Sequence, residues 1–209
     1  MRNRFILFGF LFFLSVASIL RAEPPGVSYQ TGDIIFQTSL SPQSKAIQIA
    51  TNSKYSHVGL LVLRDGKPWV FEAVQPVKYT PLREWIRRGK NGKYIVKRLK
   101  SGDKILRAVT NGRFSKACHQ FEGKDYDLYF GWGNNQIYCS ELVWKVYHEA
   151  VGVDLAPLQK MKEFNLSDPR VKVVLRKRYG DNVPLEEDVI SPAALFQSGL
   201  LTTIKDGLH

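Results

Sequence analysis

The chain has 209 residues, two cysteines and a formal net charge of +11, and the sequence contains no repeats or low-complexity segments. Its length fits one domain with one hydrophobic core and excludes a repeat architecture. No nucleic-acid motif accompanies the positive charge. The charge therefore favours an anionic partner such as cell-wall polymer or lipid headgroups, or it is general surface charge.

The N-terminus has the pattern of a secretory signal peptide. Basic residues 1–4 precede an apolar run over residues 5–20, and cleavage is predicted near Ala22, with Ser18 as another cleavage point. An uncleaved membrane anchor is the alternative, but the run is short for a span. No cysteine follows it to carry a lipid anchor. We expect an exported, periplasmic protein whose mature part, residues 23–209, is a single domain with a charge of about +8.

The first elements of the mature chain are a strand and a helix. Residues 30–36 are predicted to form a turn that leads into a short apolar strand. Ser41 and Pro42 are predicted to be the cap and first residue of a helix that continues to about Asn52.

A β-hairpin is the clearest prediction along the chain. Two apolar runs, residues 57–63 and 68–74, flank Asp65-Gly66, a dipeptide typical of tight hairpin turns. In such a hairpin, paired residue numbers sum to about 131, which places His57 opposite position 74. Glu72 is then its diagonal neighbour on the same face, within reach of a long side chain. The hairpin is therefore predicted to bring an imidazole and a carboxylate together.

The middle of the chain predicts two helices around another strand. Residues 81–88 are predicted as a short basic helix capped by Thr80, and residues 94–99 alternate as in a strand. Residues 102–121 are helical in pattern, with a break at 111–112.

Cys139 is predicted to lie at or just inside the N-terminus of a buried helix. A Gly- and Asn-rich loop at residues 131–135 precedes it, and apolar side chains follow at helical spacing at Leu142, Val143, Val146 and Tyr147. Free N–H groups and the helix dipole favour an anion there, and a thiolate is such an anion. The same N–H groups can hold an oxyanion. The alternative is an inert core cysteine.

The C-terminal part predicts two helices and an edge strand. Residues 167–169 cap a helix that Gly180 ends, residues 190–192 cap a short last helix to Phe196, and residues 200–204 form the strand. The first helix carries a basic cluster that is either a solvated face or a contact with a membrane surface. The cluster consists of Arg170, Lys172, Arg176, Lys177 and Arg178.

Cys139, His57 and Glu72 are together the three parts of thiol catalysis. The histidine takes the thiol proton, and the carboxylate orients the ring and stabilises its charged form. Each part has another interpretation: a core histidine, or a glutamate paired with a lysine such as Lys78. In an exported protein, a disulfide between Cys118 and Cys139 is a further alternative, although the two cysteines fall on different predicted helices.

The sequence predicts no metal or cofactor. The remaining histidines show no ligand spacing with the cysteines, which argues against zinc. They are His119, His148 and His209.

Four motifs carry a resemblance to a known family. They are Gly-Asp-Ile-Ile-Phe at 32–36, Ser-His-Val-Gly at 56–59, Phe-Glu-Ala at 71–73 and Tyr-Cys-Ser-Glu-Leu at 138–142. They resemble the NlpC/P60 superfamily in its circularly permuted form, in particular its YiiX/YebB-like group. In that branch the histidine hairpin precedes the cysteine helix, as it does here. The resemblance implies an α+β, permuted papain-like fold with a small antiparallel sheet packed on the cysteine helix.

The resemblance also implies residue roles. Cys139 is expected to be the nucleophile, His57 the general base and then acid, and Glu72 the residue that orients His57. Tyr138 and Tyr55 flank these residues in sequence, and we therefore expect them to line the substrate cleft.

Three functions remain open at this point. The first is an exported cysteine peptidase or amidase that cleaves an amide bond in cell-wall peptide, the substrate class of the superfamily. The second is a thiol acyltransferase or lipid hydrolase, as in permuted relatives of the lecithin:retinol acyltransferase type. The aromatic run at 126–130 and the basic cluster would suit an acyl chain under an anionic headgroup. The third is a non-catalytic module that binds cell-wall fragments.

Overall fold

The computed structural model describes residues 28–207, so the predicted signal peptide and the start of residues 23–209 lie outside the described residues. Within that range the strands are β1 (Ile34–Ser39), β2 (His57–Arg64), β3 (Lys67–Glu72), β4 (Lys78–Pro81), β5 (Gly89–Leu99), β6 (Asp125–Tyr126), β7 (Gln136–Ile137), β8 (Gln159–Lys160), β9 (Asp188–Val189) and β10 (Leu201–Asp206). The helices are α1 (Ser44–Ala50), α2 (Leu82–Arg88), α3 (Gly102–Thr110), α4 (Arg113–Phe121), α5 (Cys139–Val151), α6 (Pro169–Tyr179) and α7 (Pro192–Gln197), and a 3-10 turn covers Met161–Glu163. No helix of residues 28–207 is long and apolar enough to span a membrane.

The centre of the fold is a six-stranded sheet in the order β10-β5-β1-β2-β3-β4. Every neighbouring pair in it is antiparallel. Helix α5, which carries Cys139, packs on this sheet through β2 and on α4. The predicted α+β architecture is therefore confirmed.

Alternation along the strands divides the core between the two faces of the sheet. Ile34 and Leu60 belong to the larger apolar cluster, which the sheet shares with α3, α4 and α5. Their neighbours Ile35 and Leu61 belong to a smaller cluster on the other face, where Trp85 of α2 covers them. Strands buried on both faces explain why these segments read as continuous apolar runs.

The β2–β3 hairpin has the predicted register. Leu60 pairs with Phe71 and Leu61 with Val70, so paired numbers sum to 131. Asp65 and Gly66 at the turn have φ values of 50° and 71°. Both values are positive, as the common two-residue hairpin turn requires.

Two predicted helix starts are wrong. Ser41 and Pro42 lie in a turn closed by Ser44 N–H to the Ser41 carbonyl, so α1 begins only at Ser44. Thr80 is not a helix cap but a residue of β4, paired with Val70. In both cases a Ser or Thr that resembles a cap takes part in a different local structure, which cap patterns alone do not distinguish.

The other predicted elements are present with small changes in their ends. The strand predicted at 94–99 begins five residues earlier, at Gly89, and the break at 111–112 separates α3 from α4, with Gly112 at φ 74°. Asp168 caps α6 by accepting a hydrogen bond from Arg170 N–H, and Gly180 ends the helix. Strand β10 is at the sheet edge, as predicted.

Gly59 lets β2 and β3 approach closely inside the hairpin. A Cβ atom there would lie 2.5 Å from Val70 Cγ1 and 3.1 Å from the Phe71 carbonyl oxygen. Real Cβ contacts are not that short, and the branched Val70 side chain has little freedom to move. The geometry of the hairpin thus depends on a residue without a side chain at this position.

We predict that Gly59→Ala destabilises the fold by about 1–3 kcal/mol, the usual cost of overpacking a core. Urea denaturation measures this change. Gly102→Ala is the matched control, since a Cβ at the first residue of α3 meets nothing within 4 Å. It should change stability by less than about 0.5 kcal/mol. Equal stability of the two variants would contradict the close approach.

Candidate active site

The thiol of Cys139 is fixed at the first turn of α5. Tyr138 is extended (φ −102°, ψ 169°) and caps the helix, which begins at Cys139. The neighbours on both sides of the thiol bind the same backbone unit. Tyr138 Oη accepts from Ile190 N–H at 3.0 Å, and Ser140 Oγ donates to the Ile190 carbonyl at 2.8 Å. The predicted position of Cys139 at a helix N-terminus is confirmed.

A buried ion pair reinforces this helix start. Glu141 Oε2 accepts from Tyr138 N–H at 3.4 Å, and Glu141 Oε1 lies 2.7 Å from Lys145 Nζ one turn along the helix. Burial raises the pKa of Glu141 to about 7, against the opposing effect of Lys145. The positive end of the helix dipole stabilises a carboxylate in the first turn.

The hairpin brings His57 and Glu72 together. His57 Nε2 lies 2.7 Å from Glu72 Oε2, with the Glu72 side chain fully buried and the His57 side chain 12% exposed. The Cys139 side chain is close enough to the imidazole to raise its pKa. Because Glu72 occupies Nε2, Nδ1 is the nitrogen that is left for the sulfur. The three predicted catalytic side chains therefore form one connected chain, although their roles remain a proposal.

Two further residues hold the Glu72 carboxylate, and sequence reasoning missed both. Glu72 Oε1 accepts a hydrogen bond from Thr80 Oγ1 at 2.6 Å and another from the Arg88 guanidinium, which also forms an ion pair with it. A lysine such as Lys78 was the expected alternative partner. Lys78 is opposite Glu72 in the β3–β4 ladder, but Arg88 makes the ion pair.

The imidazole ring of His57 is also covered by an aromatic side chain. Trp85 stacks on it with a centroid distance of 5.8 Å and an interplanar angle of 25°. Trp85 is fully buried under the sheet. The stack fixes the plane of the His57 ring and keeps water from that face.

The charges at the site follow from these contacts. Burial lowers the pKa of His57, but hydrogen bonds and attraction to Cys139 and Glu72 outweigh it and raise the pKa to about 10. Burial raises the pKa of Glu72, but His57, Thr80 and Arg88 outweigh it and lower the pKa to about 2. At neutral pH the site therefore holds an imidazolium that is bonded to the Glu72 carboxylate and lies beside the sulfur of Cys139.

Tyr126 is another residue near the thiol that sequence reasoning did not single out. Its strand β6 pairs with β7, which ends directly before the α5 cap, so the pairing of Tyr126 with Ile137 places it beside the helix start. Its hydroxyl accepts a hydrogen bond from Gln43 Nε2 at 3.1 Å. Burial raises the pKa of Tyr126, and the charge of Cys139 adds to this effect. The hydroxyl is protonated at neutral pH and can donate to an oxyanion.

A cavity of about 90 Å³ opens beside Cys139. Its wall is almost wholly apolar and comes from α1, α6, the 3-10 turn and the segment around Ile190. Its aromatic and aliphatic lining includes Ile47, Phe130, Phe164, Leu166 and Leu175.

The two predicted cleft tyrosines have different positions. Tyr138 lines the cavity, although its hydroxyl is taken by Ile190. Tyr55 is a core residue, 4% exposed, with ring centroids 6.0 Å from Phe36 and 4.2 Å from Phe196. It is not part of the cavity wall, which corrects the expectation that it lines the cleft. Proximity to His57 in sequence did not determine the direction of its side chain.

Cys118 does not bond to Cys139. Both cysteines are free and buried, so the disulfide that was left open does not form. Burial raises the pKa of the Cys118 thiol to about 12. Cys118 is therefore an unreactive thiol and a useful internal reference.

The basic helix α6 divides its charges between two environments. Arg178 is half-buried and lines the cavity. The other four members of the predicted cluster are exposed, and Arg170 pairs with Asp168 at 2.9 Å. They are Arg170, Lys172, Arg176 and Lys177.

Comparison with known proteins places this fold and site in a family. A family model described as a permuted papain-like amidase enzyme, YaeF/YiiX, C92 family, matches residues 28–205. The chain belongs to this family. It is therefore a cysteine amidase- or peptidase-type hydrolase with a circularly permuted papain-like fold, as the resemblance implied.

Two members of the C92 family show how much of the chain is shared. The protein YiiX of Escherichia coli K12 is 53% identical over 175 residues, which cover 84% of this chain and 85% of the relative. A crystal structure described as metalloprotein yiiX from Escherichia coli O157:H7 has a TM-score of 0.79 and 51% identity, covering 85% of this chain and 97% of that chain.

We predict that Glu72→Gln lowers the pKa of His57 by about one to three pH units, because the ring loses an adjacent negative charge. NMR titration of the His57 ring measures the change against a wild-type midpoint near 10. Glu149→Gln makes the same replacement on the exposed face of α5 and should leave the midpoint unchanged. A wild-type midpoint near 6.5 would contradict the charged pair.

Proposed function

We propose that this amidase cleaves its substrate through an acyl-enzyme on Cys139, and that the part of the substrate next to the scissile carbonyl is apolar. The observation that carries the proposal is the cavity, whose wall is lined by Cys139 and is otherwise almost entirely apolar. Ligand sites in proteins are typically concave and apolar with a few polar groups at the reacting end.

The first step uses the charged pair. The Cys139 thiolate attacks the amide carbonyl carbon, and the carbonyl electrons move onto oxygen. The free N–H groups at the start of α5 and the Tyr126 hydroxyl stabilise this oxyanion. His57 then gives its proton to the leaving amine as the C–N bond breaks, leaving an acyl thioester on Cys139.

The second step regenerates the enzyme. Neutral His57 takes a proton from water, the resulting hydroxide attacks the thioester, and the Cys139 thiolate leaves as the carboxylic acid forms. Glu72 stays ionised throughout and holds Nε2–H of His57, so that Nδ1 faces the sulfur and the substrate. Thr80 and Arg88 act only through Glu72.

The description of the E. coli O157:H7 relative as a metalloprotein raises the question of a metal here. Within residues 28–207, no three His, Cys, Asp or Glu side chains come together in a way that could hold a metal ion. At the site itself, His57 Nε2 and Glu72 Oε2 are bonded to each other, and Glu72 Oε1 is bonded to Thr80 and Arg88. These residues do not fit a metal centre, and the proposed steps involve none.

The apolar wall favours the lipid-type substrate over cell-wall peptide. Stem peptides of peptidoglycan are polar and charged, so they would leave apolar surface unmatched in this cavity. An acyl chain would bury its methylenes there, at about 0.8 kcal/mol each. The cell-wall peptide remains the second candidate, supported by the superfamily resemblance and by the proposed export of the chain.

Export to the periplasm and contact with an anionic membrane surface are further parts of the proposal. The basic and apolar pattern of residues 1–22 supports export, and the exposed cations of α6 support the contact. Fractionation with N-terminal sequencing of the mature protein tests the first. Sedimentation with anionic and neutral vesicles tests the second.

We predict that kcat/KM for N-acyl amides rises about fourfold per added methylene until the cavity is filled, in line with methylene burial. Hydrolysis of an acetyl-to-decanoyl series measures it. Cys139→Ala should abolish turnover, and Cys118→Ala, the matched removal of a thiol, should retain it. Rates independent of chain length, together with faster cleavage of a stem peptide, would support the cell-wall substrate instead. Turnover by Cys139→Ala would remove Cys139 from the mechanism.

A further inference from the structure

One basic side chain lines the apolar cavity. Of the cavity-lining residues within the described chain, Arg178 is the only lysine, arginine, aspartate or glutamate. It lies in the last turn of α6, and its side chain is half-buried, unlike the exposed Arg176 and Lys177 next to it. The same helix therefore lines the cavity with one arginine and holds the other cations in solvent.

The guanidinium of Arg178 has few partners for a buried cation. It donates to Gln43 Oε1 and stands over the Phe130 ring, with Cζ 4.8 Å from the centroid. Across residues 28–207 it forms no ion pair with an Asp or Glu, and it makes no other hydrogen bond. Asp127 is the acidic residue whose charge acts on Arg178. Its carboxylate instead accepts hydrogen bonds from the backbone N–H groups of Tyr129 and Gly131.

Partial burial of a cation without a counter-ion is unfavourable, and a bound anion would offset this cost. Guanidinium carries five N–H donors in a planar fork that matches a carboxylate or a phosphate with two parallel hydrogen bonds. Burial lowers the pKa of Arg178, although an arginine keeps its charge at neutral pH. Its remaining donors have no hydrogen-bond partner among residues 28–207.

Two hydrogen bonds connect this cation to Tyr126, a residue beside the start of α5. Gln43 uses its carbonyl oxygen for Arg178 and its amide for the Tyr126 hydroxyl. The Tyr126 hydroxyl in turn interacts electrostatically with both Cys139 and Arg178. Because Arg178 and Cys139 line the same cavity, an anion on the guanidinium and the carbonyl group that Cys139 attacks would belong to one bound substrate.

We propose that Arg178 binds an anionic group, a carboxylate or a phosphate, that the substrate carries next to its scissile amide. This inference rests on the proposed function for the amide and its apolar chain, and it adds the charge of the substrate. An N-acyl amino acid supplies a carboxylate at that place, and the acyl amide of a phosphate-bearing amine supplies a phosphate.

The test measures binding and so does not depend on turnover. Full-length Cys139→Ala protein is titrated by calorimetry with N-decanoylglycine, its neutral analogue N-decanoylglycinamide, and N-decanoyl phosphoethanolamine, all below their micelle concentrations. At least one anionic ligand should bind about 10- to 100-fold more tightly than the amide, as for a hydrogen-bonded charge pair. The ligand that does so identifies the group as carboxylate or phosphate.

Two second-site variants attribute the preference to Arg178. Arg178→Gln in the Cys139→Ala background should abolish it, while binding of the neutral amide stays within about twofold. Lys45→Gln is the matched control, because Lys45 is an exposed cation of α1, two residues from Gln43, and does not line the cavity. Lys45→Gln should keep the full preference. Circular dichroism confirms that both variants fold.

The outcomes separate this inference from the proposed function. If all three ligands bind equally, or if the preference survives Arg178→Gln or is lost in Lys45→Gln, the anion subsite is wrong while the apolar substrate stands. If none of the three binds, both the subsite and the apolar substrate are overturned.

Discussion

The active site depends on one buried carboxylate that is kept ionised. Glu72 is fully buried, and a buried carboxylate without partners would take up a proton. Three groups, His57, Thr80 and Arg88, hold its negative charge and bring its pKa down to about 2. That charge keeps His57 protonated. In the proposed mechanism protonated His57 in turn stabilises the Cys139 thiolate, so the hydrogen bonds on Glu72 act on the thiol through His57.

The fold supplies this arrangement through two rigid contacts. The β2–β3 hairpin sets the distance from His57 to Glu72, and its tight turn and the missing side chain at Gly59 fix its register. Helix α5 packs on β2 and is tied at its start to Ile190, so the sulfur cannot move far from the ring. Groups held this way need little reorganisation during the reaction, which is the main electrostatic advantage of an enzyme site.

How much of the site could be predicted from the sequence depended on how local each feature is. A hairpin with a two-residue turn has a register fixed by numbering, so the contact of His57 with Glu72 could be predicted. The start of α5 at Cys139 follows from apolar spacing after a Gly-rich loop. Arg88, Tyr126 and Arg178 reach the site from elements that are distant in sequence, and their positions depend on tertiary packing. The prediction that Tyr55 lines the cleft was wrong because it rested on the closeness of Tyr55 to His57 in sequence. Tertiary packing instead directs the Tyr55 ring into the core.

The central claim is that His57 and Cys139 form a charged pair, and the pH dependence of Cys139 alkylation tests it most directly. Iodoacetamide labelling from pH 5 to 9, read by mass spectrometry, reports the two cysteines separately, with the buried Cys118 as reference. We expect Cys139 to react rapidly at pH 6, where an ordinary thiol, with a pKa of about 8.5, is almost wholly protonated. His57→Ala should remove that reactivity at low pH. Labelling of Cys139 that rises only near the ordinary thiol pKa, with the same profile in His57→Ala, would contradict the charged pair.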